Sequence, residues 1–225
     1  MNPKQLAASR AVEFIREGMI VGLGTGSTAF WAIEYTAQRV AQGLNITVVA
    51  TSEDTAMKAR ERGIYITSFD EVPYVDIDID GADEADEDLN LIKGGGGALM
   101  REKIVASATR QFIVIADESK LVKKLGKFPL PVEVVIFGWE HTNRALEQLG
   151  CQTKRRMTPD GKPFVTDNGN YILDCNFNII KDAPALEKDI NSIIGVVDNG
   201  LFIHMAERVI VGCTDGSVKE ITSKS

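Results

Sequence analysis

Between Val75 and Ala106 the chain gathers carboxylates, a lysine and four consecutive glycines. Asp80 and Asp83 close an alternating acidic run. Lys93 precedes Gly94, Gly95, Gly96 and Gly97, and Glu102 follows about one turn into a helical pattern. Folding alone explains these residues poorly. Carboxylates at the end of a strand repel each other, and glycines lose more backbone entropy on folding than any other residue. Such costs are tolerated mainly where a site requires them. A lysine at the start of a glycine turn makes an anion nest with a cation beside it. Glu102 alone, between Arg101 and Lys103, reads equally well as a solvated acid on a charged helix. Arriving with two further acids, a lysine and a second glycine loop, it reads as part of a site.

The second loop is GTGST, residues 24–28, between an apolar run and a helical pattern. Glycines let the backbone approach an anion, the helix N-terminus points N–H groups at it, and the hydroxyls of Thr25, Ser27 and Thr28 add donors. A glycine-rich turn with a capping serine would look the same in isolation. Dinucleotide binding fits less well. The G-x-G-x-x-G fingerprint is incomplete, and the next strand ends in Ala50-Thr51-Ser52 without an acid for a ribose hydroxyl. A mononucleotide or sugar phosphate fits better. Asp76, Asp78, Asp80, Gly81 and Glu87 match the calcium-loop pattern D-x-D-x-D-G-x5-E. That loop belongs between two helices, whereas Val75 to Asp80 alternates as a strand does, so no metal is expected. Asp86, Glu87 and Asp88 read as a solvated turn. His141 and His204 lack metal-ligand spacing and read as structural. No G-x-S-x-G, P-loop lysine or C-x-x-C motif is present.

The elements that must hold these residues follow from periodicity. Residues 3–17 read as an amphipathic helix stopped by Gly18, 19–23 as a buried strand, 29–42 as a helix and 46–50 as a strand. Ser52 caps a charged helix ended by Gly63, and a strand follows. This alternation implies right-handed crossovers and a parallel sheet covered on both faces. Next come strands at 75–80 and 90–93, a helix over 98–110, a buried strand at 111–116 and a short helix capped by Asp117. The prolines of Lys127-Phe-Pro-Leu-Pro-Val mark a domain boundary. Beyond it a strand, a helix over 139–150, a strand at 152–157, a hairpin around Asn168-Gly169, a helix over 183–195 and a strand LFIHM (201–205) give β-α-β-β-α-β order, a small α+β domain of split βαβ type. VIVGC (209–213) and VKEI (218–221) return to the first sheet. The expected division is 1–127 with 207–225, and 128–206.

With 225 residues the chain can bury such a core. Its net charge of −7 argues against a nucleic-acid partner, which requires a basic footprint, while a local basic pocket for an anion remains compatible. Three scattered cysteines form neither a disulfide framework nor a zinc pattern, which implies a reducing, cytoplasmic setting. No apolar run approaches the roughly 18 residues of a membrane span, so no membrane partner is expected.

Taken together, GLGTGSTA (22–29), DGADE (80–84), KGGGGALMREKI (93–104), GKFPLPVEV (126–134), VTDNGNYILD (165–174) and GVVDNGLF (195–202) resemble the A-type ribose-5-phosphate isomerases. These segments span most of the chain, in order and at family-like spacing. The family usually reads KGGGAALTREK, so Gly97 and Met100 are departures, and the acidic run after Glu84 is longer. The resemblance implies interconversion of D-ribose 5-phosphate and D-ribulose 5-phosphate without a metal or organic cofactor. It implies a Rossmann-like catalytic domain plus a small ferredoxin-like domain that closes the site or oligomerises, usually in a homodimer. It carries over Glu102 as the proton-shuttling base, with Asp80, Asp83 and Lys93 assisting. Thr25, Gly26, Ser27, Thr28, Gly81, Ala82, Gly94, Gly95, Gly96, Lys120 and Lys4 become substrate contacts. Other readings are another sugar-phosphate isomerase on the same scaffold and a non-catalytic sugar-phosphate sensor. A sensor should lack the base or a partner acid, and none is missing.

Overall fold

The computed structural model describes residues 1–222. Its elements in chain order are α1 (Pro3–Val12), β1 (Ile20–Leu23), α2 (Ala29–Ala41), β2 (Thr47–Ala50), α3 (Glu53–Glu61), β3 (Ile66–Thr67), β4 (Val75–Gly81), β5 (Glu84–Ala85), β6 (Leu91–Ile92), α4 (Leu99–Ser107) and β7 (Thr109–Asp117). After a 3-10 turn at Glu118–Lys120 follow β8 (Leu130–Val134), α5 (Trp139–Glu147), β9 (Gln152–Arg155), β10 (Tyr171–Asn176), α6 (Ala183–Asn191), β11 (Val196–Asn199), β12 (Leu201–Phe202), β13 (Arg208–Gly212) and β14 (Val218–Thr222).

Seven strands form the main sheet in the order β14-β13-β7-β4-β1-β2-β3. Every neighbouring pair is parallel except β13 with β14. Side chains alternate across a strand, and this alternation sorts the core. Val21, Leu23, Val48, Ile77, Ile79, Ile113, Ile115 and Ile210 pack with Ala7, Ala8 and Ala11 of α1 and with Ala32, Ile33 and Ala37 of α2. Phe112, Val114, Val209 and Val211 belong to a second cluster with Ala106 of α4 and Phe202. The sheet is therefore covered on both faces, as the repeating helix–strand pattern requires. Asp78 and Asp80 alternate with Ile77 and Ile79 and so leave the α1–α2 core.

The second sheet has the antiparallel order β11-β8-β10-β9. With α5 and α6 this is the split βαβ arrangement, cored by Leu130, Val132, Val134, Leu146, Leu173 and Ile190. A three-stranded sheet, β12-β6-β5, connects the parts. Lys93 follows β6 directly, and its N–H donates to Gly200 O at 2.9 Å.

Several boundaries differ from the sequence expectation. α1 ends at Val12, not at residue 17, because Phe14 and Ile15 turn their N–H groups to Ala11 and Val12 in i→i−3 bonds that tighten and close the helix. α4 ends at Ser107, and β7 begins at Thr109. Asn168-Gly169 makes a turn, with Thr166 N–H bonded to Asn170 O, but β10 takes its ladder partners from β8 and β9. Buried Glu133 accepts from Thr166 Oγ1, Asn168 Nδ2 and Asn170 Nδ2, so side chains hold this turn where a hairpin ladder was expected. The last strand of the small sheet is Val196–Asn199, whereas Leu201–Phe202 pairs with β6. The returning β13 and β14 join the main sheet as expected. The final three positions of the expected 207–225 segment lie outside the described residues.

Candidate active site

One cavity of about 250 Å³ is lined by Lys4, Thr25, Gly26, Ser27, Thr28, Gly81, Ala82, Asp83, Lys93, Gly94, Gly95, Gly96, Glu102 and Lys120. It gathers the carboxyl end of β4, the loops after β1 and β6, the start of α4 and the 3-10 turn. This is where an open α/β sheet places ligands. Of the residues expected as catalytic groups or substrate contacts, Asp80 alone does not line the wall. It is fully buried behind it, bonded to Lys93.

Space for the acids comes from glycines on β1 and just after it. A Cβ on Gly24 would fall 1.7 Å from Asp80 Oδ1, and one on Gly22 would fall 2.5 Å from Asp78 Oδ1. Asp80 accepts from Thr25 N–H at 3.1 Å, from Gly81 N–H at 2.6 Å and from Lys93 Nζ at 2.8 Å. Lys93 Nζ also donates to Gly81 O at 2.6 Å and lies 3.4 Å from Glu102 Oε2. Glu102 is 2% exposed, and α4 carries it inward between half-buried Arg101 and Lys103. Asp83 accepts the N–H of Gly95 at 2.7 Å, which ties β4's end to the glycine turn.

Burial dominates the proton affinities. It pushes Glu102 up to about 8; Lys93 pulls it back, and Asp80 and Asp83 add to the rise. Burial also raises Asp80, against the pull of Lys93 and the two backbone amides. For Lys93, burial lowers the proton affinity, but Asp80 and Glu102 outweigh it, and the ammonium is held above its ordinary value. Two buried acids therefore share one firmly charged lysine, an arrangement that pushes carboxyl pKa values apart.

The 24–28 loop differs from a simple cap. Thr28 makes no capping side-chain bond at the start of α2, and Ser27 Oγ accepts from Lys4 Nζ at 2.8 Å. Two lysines, Lys4 and Lys120, thus join the N-terminus of α2 around the cavity. Thr25 lines the wall, but its hydroxyl lies 2.7 Å from Thr51 Oγ1, 2.9 Å from Ser52 Oγ and 3.1 Å from Thr55 Oγ1. Its side chain braces the loop against β2 and α3 and is not a free donor.

The rest of the acidic stretch separates from the site. The segment that matches a calcium loop is strand β4, not a loop between helices. Asp86 is half-buried and accepts from Asp88 N–H, Asn90 N–H and Asn90 Nδ2, so it builds a turn, whereas Glu87 and Asp88 are exposed. Two further residues near the site stand out only in the structure. Asp78 is fully buried with both oxygens unpartnered, and burial followed by Asp80 holds its carboxyl well above the usual range. Its alternation with Ile77 and Ile79 was the available signal. Arg156, far along the chain, donates to Gly94 O and Gly95 O, and no local pattern announces it.

The family model described as ribose 5-phosphate isomerase A (phosphoriboisomerase A) matches residues 47–216. A ribose-5-phosphate isomerase A of Bacillus mycoides is 50% identical over 221 residues, covering 98% of this chain and 99% of that protein. Among solved structures, ribose 5-phosphate isomerase from Plasmodium falciparum superposes with a TM-score of 0.95 at 40% identity, covering 99% of this chain and 98% of the other. A D-ribose-5-phosphate isomerase in complex with phospho-erythronic acid does so with a TM-score of 0.95 at 41% identity, covering 99% and 100%.

Proposed function

The chain belongs to the ribose 5-phosphate isomerase A family, and we infer from this and from its cavity how it interconverts D-ribose 5-phosphate and D-ribulose 5-phosphate. The observation that carries the mechanism is Glu102, a buried carboxylate on the cavity wall, 3.4 Å from the Lys93 ammonium. An aldose–ketose isomerisation by proton transfer requires a base that removes the C2 proton and returns it to C1. One carboxylate can do both through a cis-enediolate. A proton affinity near neutral pH suits such a base, and general acid–base catalysis of this kind contributes about 10²–10⁴-fold.

The enediolate places negative charge on the sugar oxygens. Lys93, charged and fixed by Asp80, is the group to stabilise it, and one preorganised donor of this kind contributes roughly 3–4 kcal/mol. Asp83, on the cavity wall, is the candidate for moving a proton between oxygens or for opening the ribose ring. The phosphate would sit at the N-terminus of α2, where anions are favoured, with Lys4, Ser27, Thr28 and Lys120 around it. Binding energy at that end then positions C1 and C2 over Glu102. Phospho-erythronic acid carries a phosphate and a carboxylate on a short sugar-acid chain. It should occupy the same cavity and compete with substrate.

Three further parts belong to the same reading. Residues 128–206 form a unit that closes the site or pairs copies. The protein works as a homodimer, supported by Phe137 and Ile194, which are more than nine-tenths exposed, since exposed apolar patches often mark contact surfaces. The setting is the cytoplasm, in keeping with three buried free cysteines; no described helix is long and apolar enough to cross a membrane. Function is tested by mixing EDTA-treated protein with ribose 5-phosphate and following ribulose 5-phosphate, with allose 6-phosphate and arabinose 5-phosphate alongside. Fast turnover of ribose 5-phosphate alone is expected. Preference for either other sugar would move the assignment to a different isomerase.

A further inference from the structure

Arg156 lies just beyond β9, outside the cavity wall, yet it reaches the glycine turn. Its Nη1 donates to Gly94 O at 2.9 Å and to Gly95 O at 3.1 Å. Its Nε donates to Asp174 Oδ2 at 3.0 Å, and its Nη2 bonds the other oxygen of the same carboxylate. Asp174 sits on β10, held between Lys154 of β9 and Pro131 of β8. The guanidinium is therefore fixed by a carboxylate on a sheet and grips two consecutive carbonyls.

Peptide geometry turns this grip into a statement about the cavity. In a trans peptide unit the carbonyl of one residue and the N–H of the next point in opposite directions. If Gly94 O faces Arg156, the N–H of Gly95 must face away, and it does, donating to Asp83 Oδ2 at 2.7 Å. Gly95 O also faces Arg156, so the N–H of Gly96, a residue of the cavity wall, is turned away from Arg156 by the same rule. The turn leads directly into α4, where Glu102 N–H bonds Ala98 O.

We propose that Arg156 is a positioning residue for the isomerisation: from behind the glycine turn it aims the Gly96 N–H at the sugar and fixes the approach of Glu102. This rests on the isomerase reading. Lysine cannot replace it, because a single ammonium cannot hold both carboxylate oxygens and both carbonyls in one planar fork. The groups proposed for the phosphate, Lys4, Ser27, Thr28 and Lys120, lie on other elements, so substrate affinity should survive loss of the clamp while the chemical step suffers.

The test compares wild type with Arg156→Lys and Arg156→Ala, using kcat and KM for ribose 5-phosphate, thermal melting and amide hydrogen exchange at 94–97. The expected result is a fall in kcat of about 10–10²-fold, the size of effect for a small misplacement or a lost donor. KM should stay within about threefold, exchange should quicken, and added guanidinium should restore part of the kcat of Arg156→Ala. Asp174→Asn, which keeps Arg156 but loosens it, should give a smaller loss in the same direction. Unchanged kcat and unchanged exchange in folded Arg156→Lys would overturn the proposal, as would a loss explained wholly by the unfolded fraction and not rescued by guanidinium. A wild type inactive on ribose 5-phosphate would instead defeat the isomerase reading, and hydrogen exchange would still report on the clamp.

Discussion

Glu102 sits in a charged stretch of helix, yet it is the acid that burial affects most visibly in the cavity. Its proton affinity is raised to about 8, burial first, with Lys93 opposing. A base works in its deprotonated form, and kcat/KM reports the free enzyme. If Glu102 is the base, kcat/KM for ribose 5-phosphate climbs about tenfold per pH unit below about 8 and levels above it. Lys93 titrates above its ordinary 10.5, so its loss of charge does not cut this plateau short. A pH profile of initial rates checks this. A plateau already reached near the ordinary carboxylate range would show that Glu102 is not the titrating base. Glu102 became legible in the sequence only through its company. Asp80 and Asp83 were easier, since they lie at and just past the carboxyl end of a strand with no apolar reason to be there. Asp78 was hidden because a third alternating Asp looks like more of the same surface, whereas Gly22 leaves it a buried slot.

At the scale of elements, the two glycine loops and the strand between them were readable because their signals are local: apolar runs, a cap, a turn. What pairs with what was not. Leu201–Phe202 is apolar enough for either sheet, and only tertiary contacts send it to β6. Arg156 meets Gly94 across 62 positions, a distance no periodicity spans. Gly97 has a structural reason. Its φ is +85°, and a Cβ there would come 2.4 Å from Phe164 Cζ. Gly97→Ala is predicted to destabilise the fold by about 2–4 kcal/mol, from left-handed strain and overpacking together. In a Phe164→Leu background the same substitution should cost at least about 1 kcal/mol less, the coupling expected of residues in contact. Urea denaturation of the four proteins measures it. An equal cost in both backgrounds would remove Phe164 from the explanation.

The whole molecule bears the consequence of a buried acid. Glu102 is raised from 4.5 to about 8 on folding. Between those values the unfolded chain has released a proton that the folded chain still holds, so stability falls as pH rises through that window. The stabilising contribution is complete below about 4.5 and is lost on passing about 8. Glu102→Gln has nothing to release, so its stability relative to wild type should grow from about pH 5 to about pH 8. Denaturant midpoints at the two pH values test this, and a constant difference would contradict it. Fold class and returning strands were legible at this scale because alternating helices and strands leave few topologies. The tie between the small sheet and the glycine turn, through Arg156 and Asp174, was not. We propose that Glu102 carries the proton between C2 and C1. It is tested most directly by the rate at which solvent deuterium enters the sugar in D₂O, for wild type and for folded Glu102→Gln that still binds phospho-erythronic acid. Ready incorporation by wild type and a rate at least about 10²-fold lower in the variant are expected. Incorporation at a near-normal rate without this carboxylate would contradict it.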